Sequence, residues 1–140
     1  MDKVMTNAAQ GLTAFDGKKY LSLETFRKSG KGVRTPVWFA AEALTSSGAD
    51  IERLYVYTTA DSGKAKRVRQ TGAVRIAPCD VRGNVTGSWI DAHAEIVDVE
   101  AYDHGMRLID RKYWPWKQLL DLFARLRPSH QRVMLAIAPV

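Results

Sequence analysis

One cysteine, Cys79, leaves no partner for a disulfide within the chain, and a reducing, cytoplasmic compartment is the expectation. Three histidines, His93, His104 and His130, stand far apart, and a single thiol cannot complete a zinc cluster with them. No run of about 18 apolar residues occurs, so a membrane-spanning helix is excluded and no membrane partner is expected. The stretch Met1-Asp2-Lys3-Val4-Met5-Thr6-Asn7 lacks the apolar core of a secretion signal, so export by a cleaved signal is not expected. No serine sits in a G-x-S-x-G elbow. Gly63-Lys64 is followed by Ala65 rather than by Ser or Thr, which rules out a P-loop. Gly30-Lys31-Gly32 lacks the third glycine of a dinucleotide fingerprint and opens a strand rather than a helix. Repeats, low-complexity tracts and linkers are also missing, and 140 residues fit one domain.

Acid is in short supply as well. Twenty-one Lys and Arg face 15 Asp and Glu, a net charge of +6 that points to an anionic partner: nucleic acid, a membrane surface, or a phosphate- or carboxylate-bearing ligand. The distribution separates two clusters. Lys64, Lys66, Arg67 and Arg69 follow one another with no acid between them, which has the look of a site. Arg107, Arg111, Lys112, Lys117, Arg125 and Arg127 are mixed with Asp110 and Asp121, which reads as a solvated helix face.

Apolar residues recur at period two along most of the chain. Tyr20 to Arg27 places Leu21 and Leu23 opposite Ser22 and Glu24, a half-buried strand. After the turn residues 28–32, Val33, Thr35, Val37 and Phe39 share one face of a second strand, completing a hairpin. Pro36 within it cannot donate to a ladder, so it belongs at an edge or bulge, with or without a ligand opposite. A surface loop is expected over Ala43–Asp50. Further strands follow over Arg53–Thr59, Ala73–Cys79, Ser88–Asp98 and Arg132–Ala138. Helices are expected over 2–14, over 61–71 with Asp61 or Ser62 as cap and Gly72 as terminator, over Glu100–Tyr113, and over Trp116–Leu126 with Leu119, Leu120, Leu122, Phe123 and Leu126 as its buried stripe. Six strands joined mainly by tight turns, with helices between, suggest a mainly β (α+β) fold, a small antiparallel barrel with peripheral helices.

The segment Thr58-Thr59-Ala60-Asp61-Ser62-Gly63-Lys64-Ala65-Lys66-Arg67 runs from a strand end into a helix start, where unpaired N–H groups favour an anion. Thr59 and Ser62 add hydroxyls, Gly63 allows close approach, and Lys64 and Arg67 share a helix face three residues apart, with Lys66 on the flank. Such a set suits one phosphate and a longer anionic tail; a solvated basic face is the plainer alternative. Trp38 and Trp89 are either core or packed on a planar ring. Cys79 reads as a small apolar filler rather than a nucleophile, and His93 as a surface or interface residue rather than an acid.

Lys19-Tyr20-Leu21-Ser22-Leu23-Glu24-Thr25-Phe26-Arg27, Thr35-Pro36-Val37-Trp38-Phe39, Ala60-Asp61-Ser62-Gly63-Lys64-Ala65-Lys66-Arg67 and Ala77-Pro78-Cys79-Asp80 occur in that order. The series resembles the flavin/deazaflavin oxidoreductases of the pyridoxamine-phosphate-oxidase-like split-barrel superfamily, above all their actinobacterial branch dependent on the deazaflavin coenzyme F420. The resemblance spans residues 15–138. It implies an FMN-binding-type split β-barrel, a homodimer with cofactor at the subunit interface, and hydride transfer from reduced cofactor to an unsaturated small-molecule substrate. It further implies that Ser62, Gly63, Lys64, Lys66 and Arg67 hold phosphate and tail, that Thr35, Pro36, Val37 and Trp38 lie along the ring, and that Trp89 reaches the cofactor from the partner subunit. With the cofactor carrying the chemistry, the lack of a catalytic triad is accounted for, and no catalytic residue is assigned. FMN, haem or another tetrapyrrole on the same fold, or a carrier without catalysis, are alternatives. A basic nucleic-acid-binding module is an alternative of another class, disfavoured by the lack of an aromatic stacking stripe.

Overall fold

The computed structural model describes residues 12–43, 51–124 and 131–140. Most of the helix expected over 2–14, the loop expected after Ala43 and the end of the helix expected to reach Leu126 lie outside the described residues. Seven strands form one antiparallel sheet: β1 (Tyr20–Phe26), β2 (Gly32–Trp38), β3 (Ala40–Ala43), β4 (Ile51–Thr59), β5 (Ala73–Cys79), β6 (Ile90–Ile96) and β7 (Arg132–Pro139). Among the described residues, the helices between them are α1 (Gly63–Gln70), α2 (Val99–Lys112) and α3 (Trp116–Ala124).

The strand order is β2-β1-β5-β6-β7-β4-β3. Its two edge strands, β2 and β3, are therefore consecutive in the chain, with Phe39 alone between them. Two edges that far apart in hydrogen-bonding order can be joined by one residue only if the sheet curls until they converge. That geometry makes the sheet a half-barrel, the expected split-barrel fold. The expectation of six strands missed β3. Val33, Thr35, Val37 and Phe39 alternate without a break, and the change of neighbour at Phe39 comes from curvature, which a local pattern does not encode.

The interior is filled by one face of each strand. Leu21, Leu23, Leu54, Val56, Val74, Ile76, Ala92, Ala94, Leu135 and Ile137 pack there with Leu12, Phe15, Phe39 and Val68. β1 is not half-buried as its alternation suggests, because Ser22 and Glu24 on its outer face are also covered, at 2% and 6% exposure. Arg34 of β2 and Arg75 of β5 reach over Glu24 from either side, at 3.0 and 3.5 Å. A second core lies outside the sheet, where α2 and the residue after it bring Ile109 and Tyr113 onto Ala40, Tyr55, Met134 and Ala136. Gly105 lets α2 come close: a Cβ there would sit 3.0 Å from the Tyr55 ring.

Tyr113 holds the Phe39 junction. Its hydroxyl accepts the Phe39 N–H at 3.0 Å and lies 2.6 Å from the Lys19 carbonyl and 2.8 Å from that of Phe39, to one of which its hydrogen is given. Its ring stacks on Trp38, with centroids 4.4 Å apart. The neighbouring Lys112 donates to the Phe39 carbonyl and lays its ammonium over the Phe39 ring. Burial lowers the Lys112 pKa to about 8, against a smaller opposing pull from Asp16.

Candidate functional site

The basic segment begins α1 as its sequence predicts. Ser62 is the N-cap: its Oγ accepts the Ala65 N–H at 3.1 Å and the Thr58 hydroxyl at 3.0 Å. Thr59, expected to add a hydroxyl, contributes its carbonyl instead, accepting the Ser62 N–H. The two threonines alternate along β4, so one side chain reaches the cap and the other does not. Lys66 N–H bonds the Ser62 carbonyl. That leaves the N–H groups of Gly63 and Lys64, which no carbonyl of the helix can take. The helix ends at Thr71 rather than at Gly72.

No acid occupies the first turn of α1. Ala65 and Val68 are its buried side and Lys66 is exposed, while Lys64 and Arg67 lie half-buried between. Burial pushes the Lys64 ammonium below its ordinary value, and the Arg67 charge pushes it the same way. Arg67 spends its Nε on the Thr25 hydroxyl, at 2.6 Å, which leaves its two terminal nitrogens without a carboxylate among the described residues. Its guanidinium lies over Gly63, where a Cβ would come within 2.7 Å of Nη1. The helix start thus gathers two cations, two N–H groups that no helix carbonyl takes and a glycine, with the acid Asp61 exposed before the cap and outside the first turn: an arrangement that fits an anionic oxygen group.

Thr25 links this helix start to β2. It pairs with Val33, and the next pair on the same face is Leu23 with Thr35. Thr35 and Val37 therefore share the inner face with Thr25, the Arg67 anchor near the turn: Thr35 is the next pair along that face, and Val37 lies a further pair on, toward the open end of the hairpin, packed against the main core. Pro36 is on an edge strand, as expected, on the outer face with Trp38. Pro36 is exposed, with Gly83 of the following loop packed beside it, and Trp38 is committed to its stack on Tyr113.

Trp89 precedes β6 rather than lying on it, and it is not beside the basic helix. It sits under two guanidiniums of its own chain, 4.5 Å from Arg34 and 5.3 Å from Arg75. Both belong to a row of charges across the outer face, Arg34–Glu24–Arg75–Asp91. Among the residues named from sequence, Ser62, Gly63, Lys64 and Arg67 come together, with Thr35 and Val37 on the adjoining face. Pro36, Trp38 and Trp89 face the other way. Thr25 and Thr58, which fix the site, were missed: nothing in the sequence marks Thr25, whose hydroxyl meets a group 42 residues away, or tells Thr58, four residues from Ser62, from Thr59.

The remaining candidates do other work. Cys79 is buried, and burial followed by Asp80 pushes its thiol up, which fits a filler. His93 is exposed on the outer face of β6 and lines a shallow groove of about 240 Å³ with Arg53, Glu95, Ala136 and Ala138; its ring lies against Gly72, past the C-terminal end of α1 and not at its Lys64 end. The second basic cluster is not simply a solvated face. Lys117 is 2% exposed and paired with Asp110 and Asp121, and Asp121 also holds Arg132 at 2.9 Å. Burial alone would lower the Lys117 pKa, but the two carboxylates outweigh it and raise it. Among the described residues no cluster of His, Cys, Asp and Glu could hold a metal, and no helix is long and apolar enough to cross a membrane.

No family model matches the chain, and no curated protein does. Solved structures do match. The haem storage protein HutZ of Vibrio cholerae is 15% identical, with a TM-score of 0.64 over 95% of this chain and 90% of its own. A candidate pyridoxamine 5'-phosphate oxidase from Listeria innocua is 14% identical, with a TM-score of 0.61 over 91% and 89%. An F420 reductase is 17% identical, with a TM-score of 0.55 over 91% of each chain. With the curled sheet whose edges meet at Phe39, these likenesses establish that the chain has the split-barrel fold of the pyridoxamine-phosphate-oxidase-like proteins.

Proposed function

We propose that this chain binds a phosphate-bearing flavin-type cofactor, preferentially the deazaflavin F420, and reduces an unsaturated small molecule with it. The observation that carries the reading is the Lys64–Arg67 pair. Two half-buried cations, one already pushed toward its neutral form by burial and by the other, sit at a helix start with no acid in the first turn. A phosphate there would relieve both costs. Lys64 and the terminal nitrogens of Arg67 would take its oxygens, with the N–H groups of Gly63 and Lys64 beneath them and exposed Lys66 available to a longer anionic tail. Thr25 fixes Arg67, and Thr58 with Ser62 fixes the turn. Thr35, one same-face pair from this anchor on β2, would flank the planar part, with Val37 further along the strand.

The bound cofactor would supply the hydride. The chain's share is to hold the anionic end, orient the ring along β2 and shield it from water. Since Pro36, Trp38 and Trp89 face away from the basic helix, they would serve a ring only across an interface, which the homodimer reading requires.

Fluorescence titration with F420 and, separately, with FMN tests the proposal. Expected is micromolar or tighter binding of F420, weaker binding of FMN, and a loss of roughly tenfold or more in Lys64→Ala/Lys66→Ala. Binding of neither cofactor refutes the reading. Unchanged affinity in the variant refutes the site. Tighter FMN binding would transfer the site to flavin. Turnover with reduced cofactor against quinones and enones then separates a reductase from a carrier.

A further inference from the structure

Helix α3 is inside out. A surface helix ordinarily turns its apolar stripe to the core and its charges to water. Here Lys117 and Asp121, four residues apart, face the body of the protein. Lys117 is buried between Asp110 and Asp121 and lies 5.7 Å from the centre of the Tyr57 ring, while Asp121 is tied to Arg132. Among the described side chains the apolar ones face out: Trp116 is 66% exposed, Leu119 44% and Leu120 51%, and Trp114 just before the helix is 71% exposed. Leu119 and Leu120 of the expected buried stripe therefore lie on the outside, and its other members, Leu122, Phe123 and Leu126, lie outside the described side chains. The ion pairs to other elements hold the helix so, because rolling it to hide its leucines would pull Lys117 from Asp110 on α2 and Asp121 from Arg132 on β7.

Two indoles and two leucines present on the order of 400 Å² of apolar surface, within the size range of patches that serve binding. That is short of the ~800 Å² each partner gives to a stable dimer. The surroundings carry both signs: Asp103 is exposed one turn before Arg107, while Asp110 is engaged by Lys117. Arg107 and Arg111 are exposed one turn apart on α2, and Trp114 follows Arg111 by three positions. A second copy seated symmetrically on this corner would bring its own arginines against them, in a chain already at +6. A lipid surface with negative headgroups answers both halves of the patch. Tryptophan favours the boundary between headgroup and acyl chain, and arginine pairs with phosphate.

We propose that the α2–α3 corner docks the protein reversibly on an anionic membrane surface. Trp114, Trp116, Leu119 and Leu120 enter the headgroup layer, and Arg107 and Arg111 bind lipid phosphates. This departs from the expectation that no membrane is among the partners, and it does not depend on the cofactor reading. It requires no spanning segment.

Co-sedimentation of the full chain tests it, with vesicles of phosphatidylcholine alone and of phosphatidylcholine mixed with phosphatidylglycerol. Binding to the mixed vesicles only, weakening with salt, is expected. Trp114→Ser/Trp116→Ser should lower partitioning about tenfold or more while leaving the thermal midpoint in place, since both side chains already face water. Arg107→Glu/Arg111→Glu should lower it at least roughly fivefold per position. Failure to bind the mixed vesicles, equal binding to neutral ones, or unchanged binding in either variant overturns the proposal. So does sedimentation equilibrium in which the tryptophan variant turns a dimer into a monomer, which would give the face to a second copy.

Discussion

The start of α1 and the packed side of α3 are both built on basic residues, and they use them in opposite ways. Lys117 and Arg132 are matched by Asp110 and Asp121, so their charge is spent inside the fold. Lys64 and Arg67 have no carboxylate among the described residues. Their pKa shifts follow: Lys117 is raised, Lys64 lowered. A matched cation stabilises the chain that carries it. An unmatched, half-buried cation costs stability until a ligand supplies the missing charge. On this difference rests the proposal that the α1 cluster, and not the one at α3, takes an anion.

The largest expected effect breaks the matched side. Lys117→Ala leaves Asp110 and Asp121 facing each other and should cost about 2–3 kcal/mol, less than a fully dry pair because both carboxylates reach some water. Denaturant unfolding measures it. Lys64→Ala should change stability by no more than ~0.5 kcal/mol, or slightly raise it. A comparable loss at both positions would erase the distinction. Next comes pH. Lys64, with its folded pKa lowered, destabilises the fold while charged, and that cost fades as pH rises through its folded value. Lys117, with its pKa raised, contributes stability below the ordinary lysine value of 10.5 that is lost only as pH climbs past its raised one. Affinity for a phosphate ligand should therefore fall with pH before ordinary lysines titrate, and Lys64→Arg should hold it level. The smallest effect is Gly63→Ala. Its Cβ would displace the Arg67 guanidinium, and cofactor affinity should drop severalfold with little change in midpoint by thermal unfolding.

Local pattern carried much of the fold. The alternation of β1, the edge position of Pro36 and the Ser62 cap were all legible because each is a property of a few neighbouring residues. The basic run was legible as a place where anions would be welcome, but its supports were not. Thr25 is far off in sequence, and the choice of Thr58 over Thr59 depends on the phase of β4 at its last turn into α1. β3 and the orientation of α3 were misjudged for a common reason. Both are decided by what lies across a gap: the converging sheet edges in one case, a carboxylate on α2 and an arginine on β7 in the other. A periodic stripe says that a helix has two faces. It does not say which one the rest of the molecule will cover.

The junction at Phe39 has a consequence for how the protein survives in company. An open sheet offers two rows of unpaired backbone groups, each a template onto which a stray strand can grow. Here both rows belong to one uninterrupted stretch, β2 and β3, pinned at its midpoint by Tyr113 and Lys112. One row is interrupted by Pro36. The other carries Glu42, its charge engaged by Arg53. Aggregation by strand addition is thus opposed at both margins by a single segment, and loosening its central pin would expose the two together.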